Sequence, residues 1–336
     1  MFQKRYLFFL IIFALIIVVG CSKDENPAEP EKINEFNLVS EAGDAYFSNY
    51  TTPSGASVNV KIDAIYQNLT DGNASNDPFI IDYRSAADFA TGHLKGAHNI
   101  SLGSLIDKIE DGTIPKDKTI LNVCYTGQTA SYATCVLNLL GYEAQNLLFG
   151  MCGVTTADSI NGTKKWVNQI AADEFADKLS TTDEKLSKEY DFPTLSTGEK
   201  EAESIIKARF KAVMGAGSWG KITAADVFAN PGNYFIVNYW PYAEYLNPGH
   251  IPGAYCFEPK TSLKKKDAKL KYLPTDKTIV VYCYTGQTSA QVTAYLQLLG
   301  YDAKSLLYGV NGFAYNVLSG HKYVPPVNDY SAIIEK

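Results

Sequence analysis

A six-residue segment headed by cysteine, CYTGQT, occurs twice in this 336-residue chain, at residues 124–129 and 283–288. Each copy follows an apolar run and precedes a helical pattern. Its central glycine lets the backbone turn tightly, so that successive N–H groups converge at the helix N-terminus and form an anion-binding concavity. Such sites lower the pKa of cysteine from about 8.5 to between about 3.5 and 7.5. The pattern therefore predicts Cys124 and Cys283 as nucleophilic thiolates, and the alternative is a buried structural cysteine.

Other segments come into register when the two copies are aligned. GHLKGA at 92–97 matches GHIPGA at 249–254, and LLGYEA at 139–144 matches LLGYDA at 298–303. LLFGMCG at 147–153 likewise matches LLYGVNG at 306–312. The chain therefore contains two homologous domains, which we place at residues 36–160 and 196–325.

Short apolar or β-branched runs alternate with helical patterns within each half. PFIIDY, TILNVCY and NLLFG are typical of strands in the first half, as are YFIVNY, TIVVYCY and SLLYG in the second. SYATCVLNLLGY and SAQVTAYLQLLGY have helical spacing up to a glycine that favours a left-handed C-terminal turn. The fold class is therefore α/β: two small domains, each a mainly parallel sheet flanked by helices, with chemistry expected at the carboxyl ends of the strands.

The segments outside the two domains have polar or targeting character. Residues 161–195 are rich in Lys, Asp and Glu, and ADEFADKLSTTDEKLSKEY has helical spacing, which predicts a charged linker helix. We assign residues 326–336 to a C-terminal tail. Residues 21–35 contain SKDENPAEPEK, a proline-containing polar stretch that predicts a disordered tether.

Residues 1–20 resemble a secretory signal peptide. Lys4 and Arg5 precede an apolar run at 7–19, which is shorter than the roughly 20 residues of a membrane-spanning helix. The run ends in VVGC, which resembles a bacterial lipobox and implies cleavage before a lipidated Cys21. We therefore expect a lipoprotein of the cell envelope that is anchored in the outer membrane. It lies on either the periplasmic or the surface face of that membrane. An uncleaved anchor is the alternative.

Charge and cysteine content exclude two other classes of protein. The formal net charge is −6, and the chain lacks the basic cluster that nucleic-acid binding requires. The chain has six cysteines, so setting Cys21 aside leaves an odd number, and at least one thiol stays unpaired within the chain. This pattern argues against a disulfide framework.

The order of these motifs resembles the rhodanese family of sulfurtransferases over nearly all of both halves. The resemblance implies that sulfane sulfur passes from an anionic donor to a thiol or cyanide acceptor through a cysteine persulfide, with no metal and no cofactor. Cys124 and Cys283 match the family's nucleophile. The matching cradle residues are Tyr125, Thr126, Gly127, Gln128 and Thr129 in the first half, and Tyr284, Thr285, Gly286, Gln287 and Thr288 in the second. Neither loop contains Lys or Arg, so we expect thiosulfate to be a poor donor.

The halves differ beside the loops. Asp82 and Arg84 match the family's charged pair near the loop, whereas Asn238 and Trp240 occupy those places in the second half. We expect Arg84 either to bind the anionic donor, which would make the first domain the more active, or to form a structural ion pair through Asp88. His93 and His250 are expected to bond to backbone groups.

Two further functions are compatible with the sequence. Cys152 follows the last strand of the first half and could resolve an oxidised Cys124, which would make the chain a thiol redox protein. The tandem could also be a non-catalytic binding module.

Overall fold

Each half of the chain contains one parallel sheet of five strands. The computed structural model describes residues 33–157, 160, 165–166, 173–217, 219–264 and 269–336. The first sheet consists of β1 (Asn59–Val60), β2 (Phe79–Asp82), β4 (His98–Asn99), β5 (Ile120–Val123) and β6 (Ala144–Leu147). The second sheet consists of β7 (Lys221–Ile222), β8 (Phe235–Asn238), β9 (Tyr255–Cys256), β10 (Ile279–Tyr282) and β11 (Ala303–Leu306). A separate antiparallel pair joins β3 (His93–Leu94) to β12 (Ile334–Glu335).

Helices connect and cover these strands. They are α1 (Glu35–Asn49), α2 (Ile62–Thr70), α3 (Ala86–Thr91), α4 (Leu105–Glu110), α5 (Gln128–Leu139), α6 (Ala202–Gly215), α7 (Ala224–Ala229), α8 (Tyr242–Leu246) and α9 (Gln287–Leu298). The two helices that follow the cysteines, α5 and α9, end before Gly141 (φ 77°) and Gly300 (φ 98°). Both glycines have the left-handed conformation that the sequence predicts.

The two sheets have the same strand order, β1-β6-β5-β2-β4 and β7-β11-β10-β8-β9. Neighbouring strands run parallel throughout, with β5 and β10 at the centre. Every residue of β5 and of β10 is buried, as expected for strands covered on both faces. The prediction of two homologous α/β domains with parallel sheets is confirmed.

The two domains share a hydrophobic core along α5 and α9. One continuous cluster of buried side chains includes residues of both sheets, of α1 and of α6. Polar contacts cross the same interface: the Tyr132 hydroxyl donates to Gln297 Oε1 at 2.7 Å, and the Tyr46 hydroxyl donates to Gln291 Oε1 at 3.1 Å. Residues Asn34–Lys336 accordingly form one compact unit.

The predicted charged linker helix is wrong for residues 173–195, although the described residues 165–166 are helical. From Asp173 onward the chain has only a 3₁₀ turn at Ala176–Lys178 and then an extended course up to α6. Widely spaced contacts with the second domain hold this course: Phe175 stacks on Phe228 at 4.3 Å, and Ser180 forms an antiparallel bridge with His250. These tertiary contacts outweigh the weak helical periodicity of an otherwise polar segment.

The C-terminal tail returns to the first domain through the pairing of β12 with β3. The predicted signal peptide, Cys21 and nearly all of the tether lie outside the described residues. Within the part of the chain that is described, none of the helices has the length and apolar character needed to cross a membrane.

Candidate active site

Cys124 lies at the junction between the central strand β5 and the helix α5. It is 3% exposed, and its Sγ accepts hydrogen bonds from the backbone N–H groups of Gly127 at 3.2 Å and Ala130 at 3.5 Å. Gly127 caps the helix with φ 82°. The predicted setting of strand, glycine turn and helix N-terminus is therefore present around Cys124.

Cys283 occupies the equivalent junction between β10 and α9, with Gly286 (φ 76°) as the cap. It is 1% exposed, and its Sγ accepts from the backbone N–H of Ser289 at 3.3 Å. The thiol also contacts the Ser289 hydroxyl at 3.6 Å, which in turn lies 2.9 Å from Ser305 Oγ. The aligned position to Ser289 in the first domain is Ala130, so this hydroxyl pair is particular to the second domain.

The threonines and glutamines of the loops have separate positions. Thr126 and Thr285 accept from the Nε2 atoms of Gln128 and Gln287, at 3.0 and 3.2 Å, within their own loops. The Oε1 atoms of both glutamines accept hydrogen bonds from backbone N–H groups of the other domain. Thr129 and Thr288 lie in the first turns of α5 and α9, where both are partly buried. These side chains shape the loops without a hydrogen bond to the sulfur atoms among the contacts described.

The turn after the last strand of each sheet closes over the cysteine loop. The N–H of Met151 donates to the Cys124 carbonyl at 2.9 Å, and the N–H of Val310 donates to the Cys283 carbonyl at 3.0 Å. Gly150 and Gly309, at φ 56° and 55°, come so close that an added Cβ would lie 2.2 Å from the cysteine carbonyl oxygen. Glycine is required at both positions because neither the conformation nor the space admits a side chain.

The low pKa that the sequence predicts for Cys124 is wrong, because the thiol is buried. Removal from water raises the pKa of the Cys124 thiol, and the surrounding N–H groups of Ala130, Thr126, Gly127 and Thr129 lower it only in part. The sequence pattern reveals the helix N-terminus, but it does not reveal that the closing turn and the second domain exclude water. Burial thus favours the protonated thiol of Cys124 over the thiolate.

The tyrosine of each loop donates its hydroxyl to a carboxylate on the helix after the neighbouring strand. Tyr125 contacts Asp88 of α3, and Tyr284 contacts Glu244 of α8. Burial raises the pKa of both hydroxyls, and each neighbouring carboxylate raises it further. Both tyrosines are therefore uncharged donors at neutral pH that tie their loops to the sheet edge.

Sequence reasoning missed two side chains that cover these tyrosines. Lys165 Nζ lies 3.7 Å from the centre of the Tyr125 ring, and the His321 ring stacks on Tyr284 at 4.3 Å. Lys165 follows the first domain and His321 lies near the end of the second, so each is far from its loop in sequence. Lys165 brings a cation to the first loop, which has none of its own.

Arg84 and Asp82 form a buried ion pair rather than an open anion site. The Arg84 side chain is 0% exposed, and its Nη2 lies 2.7 Å from Asp82 Oδ2 and 2.7 Å from the Gly92 carbonyl oxygen. The partner is Asp82 and not Asp88, which corrects the pairing expected from sequence. The pair holds β2 to the turn before β3, and the guanidinium is occupied by protein groups.

The second domain replaces this ion pair by aromatic packing. Trp240, at the Arg84 position, stacks on Tyr284 at 4.8 Å, so Tyr284 lies between Trp240 and His321. Asn238, at the Asp82 position, donates to the Tyr282 hydroxyl at 2.8 Å. Tyr284 of the second loop is therefore flanked by aromatic rings, whereas the equivalent Tyr125 of the first loop has the Lys165 ammonium over its ring.

The two histidines of the glycine-bounded turns bond to backbone groups. His93 Nδ1 lies 2.9 Å from the Phe89 carbonyl oxygen. His250 Nδ1 and Nε2 lie 2.9 and 2.7 Å from the carbonyl oxygens of Ile251 and Thr182. The expectation that they bond to backbone is confirmed.

Cys152 is buried in the turn that closes over the Cys124 loop. Its N–H donates to the Tyr125 carbonyl at 3.0 Å. Burial raises the pKa of the Cys152 thiol to about 12, although the Lys165 ammonium lowers it in part. Burial thus favours the protonated thiol of Cys152, and the resolving role expected from the sequence stays a prediction. Burial likewise raises the pKa of Cys256 to about 11 and that of Cys135 further still, and none of these cysteines forms a disulfide in the described part of the chain.

A family model for the rhodanese-like domain matches the chain twice, at residues 62–156 and 227–316, and so covers more than half of it. The chain belongs to the rhodanese family. Both matches contain a CYTGQT loop, and the rhodanese resemblance seen in the motifs is confirmed. No curated protein matches this rhodanese.

Solved structures similar to this rhodanese come from several bacteria. A rhodanese-like domain protein from Staphylococcus aureus is 22% identical over 28% of this chain and 86% of its own, with a TM-score of 0.25. SSP1007 from Staphylococcus saprophyticus is also 22% identical, over 28% of this chain and 88% of its own, with a TM-score of 0.25. A thiosulfate sulfurtransferase from Pseudomonas aeruginosa is 14% identical over 86% of this chain and 49% of its own, with a TM-score of 0.29.

We predict that alkylation of Cys124 in the folded protein requires a higher pH than alkylation of the same cysteine in the unfolded chain, because burial raises the pKa of its thiol. A raised pKa leaves less thiolate at any given pH, so the rate should still be climbing where an ordinary cysteine has reached its plateau. The measurement is the alkylation rate of the Cys124 peptide against pH, by mass spectrometry, in the Cys283→Ser variant. The same protein unfolded in urea is the control and should titrate near about 8.5. A plateau below pH 8 in the folded protein would contradict the effect of burial.

Proposed function

We propose that this protein is a sulfurtransferase that carries sulfane sulfur as a persulfide on its loop cysteines. The observation that carries the proposal is the position of each thiol at the start of a helix, with backbone N–H groups at 3.2 to 3.5 Å from the sulfur. N–H groups aimed at a sulfur stabilise the negative charge of a thiolate or persulfide. A purely structural cysteine would have no need of such a cradle.

The proposed reaction has two displacement steps. The thiol first loses its proton to water, and the thiolate then attacks the outer sulfur of the donor. A sulfur–sulfur bond forms on the cysteine, the donor's own sulfur–sulfur bond breaks, and its electron pair departs with the leaving thiolate or sulfite. In the second step a thiolate or cyanide attacks the outer sulfur of the persulfide, which regenerates the cysteine thiolate. Neither step requires an oxidant or a reductant.

The surroundings of the loops favour a donor with low negative charge. Neither CYTGQT segment contains a cation, and Arg84 is occupied by Asp82 and the Gly92 carbonyl. At the first loop the Lys165 ammonium beside Tyr125 supplies one positive charge, which does not match the two charges of a thiosulfate dianion that loses its water shell. A persulfide or polysulfide carries less charge for each sulfur delivered, and we propose this class as the donor. A thiol is the matching acceptor.

The second domain is the stronger candidate for most of the activity. The expectation that the first domain dominates depended on an accessible Arg84, and the guanidinium is fully buried in its ion pair. Cys283 instead has the Ser289 hydroxyl 3.6 Å from its sulfur. When Cys283 is a thiolate this hydroxyl can donate to it, and a hydrogen bond to a charged group contributes about 1.5 to 3 kcal/mol.

We expect Cys283→Ser to remove most of the sulfur transfer and Cys124→Ser to remove little. The physical reason is the extra hydroxyl donor, which corresponds to roughly a ten- to 150-fold difference in rate. The measurement is steady-state kcat/KM for both variants with a panel of persulfide, polysulfide and thiosulfate donors. If Cys124→Ser abolishes the activity instead, the site with Lys165 is the working one.

A matched control isolates the hydroxyl. In the Cys124→Ser background, Ser289→Ala should lower kcat/KM by about tenfold or more. In the Cys283→Ser background, Ala130→Ser places a hydroxyl beside Cys124 and should raise its slower rate. Absence of transfer by every variant and by the wild type would leave a non-catalytic binding module as the function.

We also propose that the protein is exported and anchored in the outer membrane through a lipid on Cys21. Support comes from the sequence alone: a charged start, an apolar run at 7–19 and the VVGC tetrapeptide. The polar stretch that follows would hold the two domains away from the membrane surface.

Changing Cys21→Ser should prevent lipidation and leave the chain with an unprocessed signal. The expected result is loss of the lipid-modified form in a mass measurement of the mature N-terminus. Fractionation of cells that express wild type and variant should show less protein in the outer membrane for the variant. Equal amounts of membrane-bound protein, with the same uncleaved N-terminus in wild type and variant, would support the uncleaved anchor.

A further inference from the structure

The glutamine of each CYTGQT loop reaches into the other domain. Gln128 is 3% exposed, and its Oε1 accepts from the backbone N–H of Tyr308 at 2.8 Å. Gln287 is 1% exposed, and its Oε1 accepts from the backbone N–H of Phe149 at 3.0 Å and from Asn146 Nδ2 at 3.0 Å. Because a backbone N–H can only donate, the oxygen of each amide must face the other domain.

The residues that receive these contacts begin the turns that close over the cysteines. Phe149 and Tyr308 have φ of 64° and 63°, a left-handed conformation that is costly for residues other than glycine. Two residues further on, the N–H groups of Met151 and Val310 hold the carbonyl oxygens of Cys124 and Cys283. A hydrogen bond at Phe149 or Tyr308 therefore stabilises the strained start of the turn that fixes the adjacent cysteine.

The same glutamines occupy the space above the opposite loop glycine. A Cβ added to Gly127 would lie 2.2 Å from Gln287 Oε1, and one added to Gly286 would lie 2.4 Å from Gln128 Oε1. Each loop thus has its glycine directly beneath the glutamine of the other loop. The contacts are reciprocal, so the two cysteine sites are built from one shared set of residues.

We propose that Gln287 is a positioning residue for Cys124 and that Gln128 is a positioning residue for Cys283. Each amide divides its two ends between the domains: the oxygen holds the turn over the other cysteine, and the nitrogen donates to the threonine of its own loop. Neither cysteine site is complete within its own domain. The consequence for sulfur transfer depends on the proposed function, whereas the positioning itself does not.

The test uses the full chain with both cysteines and needs no sulfur donor. Gln287→Met and Gln128→Met keep the length of the side chain and remove the acceptor, which leaves the part-buried N–H of Phe149 or Tyr308 without this partner. The turn should then open more often and expose the cysteine beneath it. The measurement is the iodoacetamide alkylation rate of the Cys124 and Cys283 peptides, quantified separately by mass spectrometry.

The expected result is a crossed pattern. Gln287→Met should accelerate alkylation of Cys124 by about fivefold or more, and Gln128→Met should do the same for Cys283, each with a smaller effect on the cysteine of its own loop. The opposite pattern, in which each variant mainly affects its own loop, would overturn the proposal. Equal acceleration of both cysteines by both variants would also overturn it.

Two further variants separate positioning from a general loosening of the interface. Gln291 lies one helical turn after Gln287 in α9, and Gln291→Met removes its interdomain contacts with Tyr46 and Asn59. This variant should leave the ratio of the Cys124 and Cys283 alkylation rates as in wild type. Gln287→Glu keeps an acceptor for Phe149 and Asn146 and should bring the Cys124 rate closer to wild type than Gln287→Met does. If Gln291→Met reproduces the crossed pattern, or Glu fails to restore the rate in a folded protein, the specific contact is not the cause.

Failure of this inference can be told apart from failure of the proposed function. A crossed alkylation pattern in a protein that transfers no sulfur would overturn only the function. Sulfur transfer without the crossed pattern would overturn only the positioning role. If both hold, Gln287→Met in the Cys283→Ser background should lower kcat while it accelerates alkylation, because the loosened thiol is more accessible and less well held.

Discussion

The closure of a glycine turn onto the carbonyl oxygen of each loop cysteine is the contact on which the rest of the site depends. At Gly150 and Gly309 an added Cβ would lie 2.2 Å from that oxygen. The backbone of the turn therefore packs directly against the cysteine carbonyl, with no room for a side chain between them. The closure buries the thiol, directs N–H groups at its sulfur and fixes where the helix begins. Burial and polar stabilisation therefore act on the same atom with opposite effects on its pKa.

The arrangement of the two domains extends this constraint across the molecule. The packing of α5 against α9 brings the two loops together, so each closing turn is within reach of a glutamine from the other loop. The two cysteine sites are therefore not identical copies of each other. Cys283 has the Ser289 hydroxyl beside its sulfur, the Lys165 ammonium lies over Tyr125 of the first loop, and Trp240 takes the place of Arg84 in the second domain.

The sequence predicts the features that depend on local order. Central strands such as β5 and β10, the helices after each cysteine and the glycines at their ends follow from apolar runs and turn residues. Contacts between distant segments are not encoded in such patterns. The linker is extended because Phe175 and Ser180 are held by the second domain, the pKa of Cys124 is raised by surfaces that meet only in the folded chain, and Arg84 pairs with Asp82.

The central claim is that the loop thiols carry sulfur, and trapping the intermediate tests it most directly. Reduced protein is mixed with an organic persulfide, treated with an alkylating agent, and digested so that the Cys124 and Cys283 peptides are weighed separately. The account predicts one added sulfur atom on the Cys283 peptide, a smaller amount on the Cys124 peptide, and its loss on addition of cyanide with an equal amount of thiocyanate formed. Peptides that gain no sulfur from any donor while the protein stays folded would contradict it.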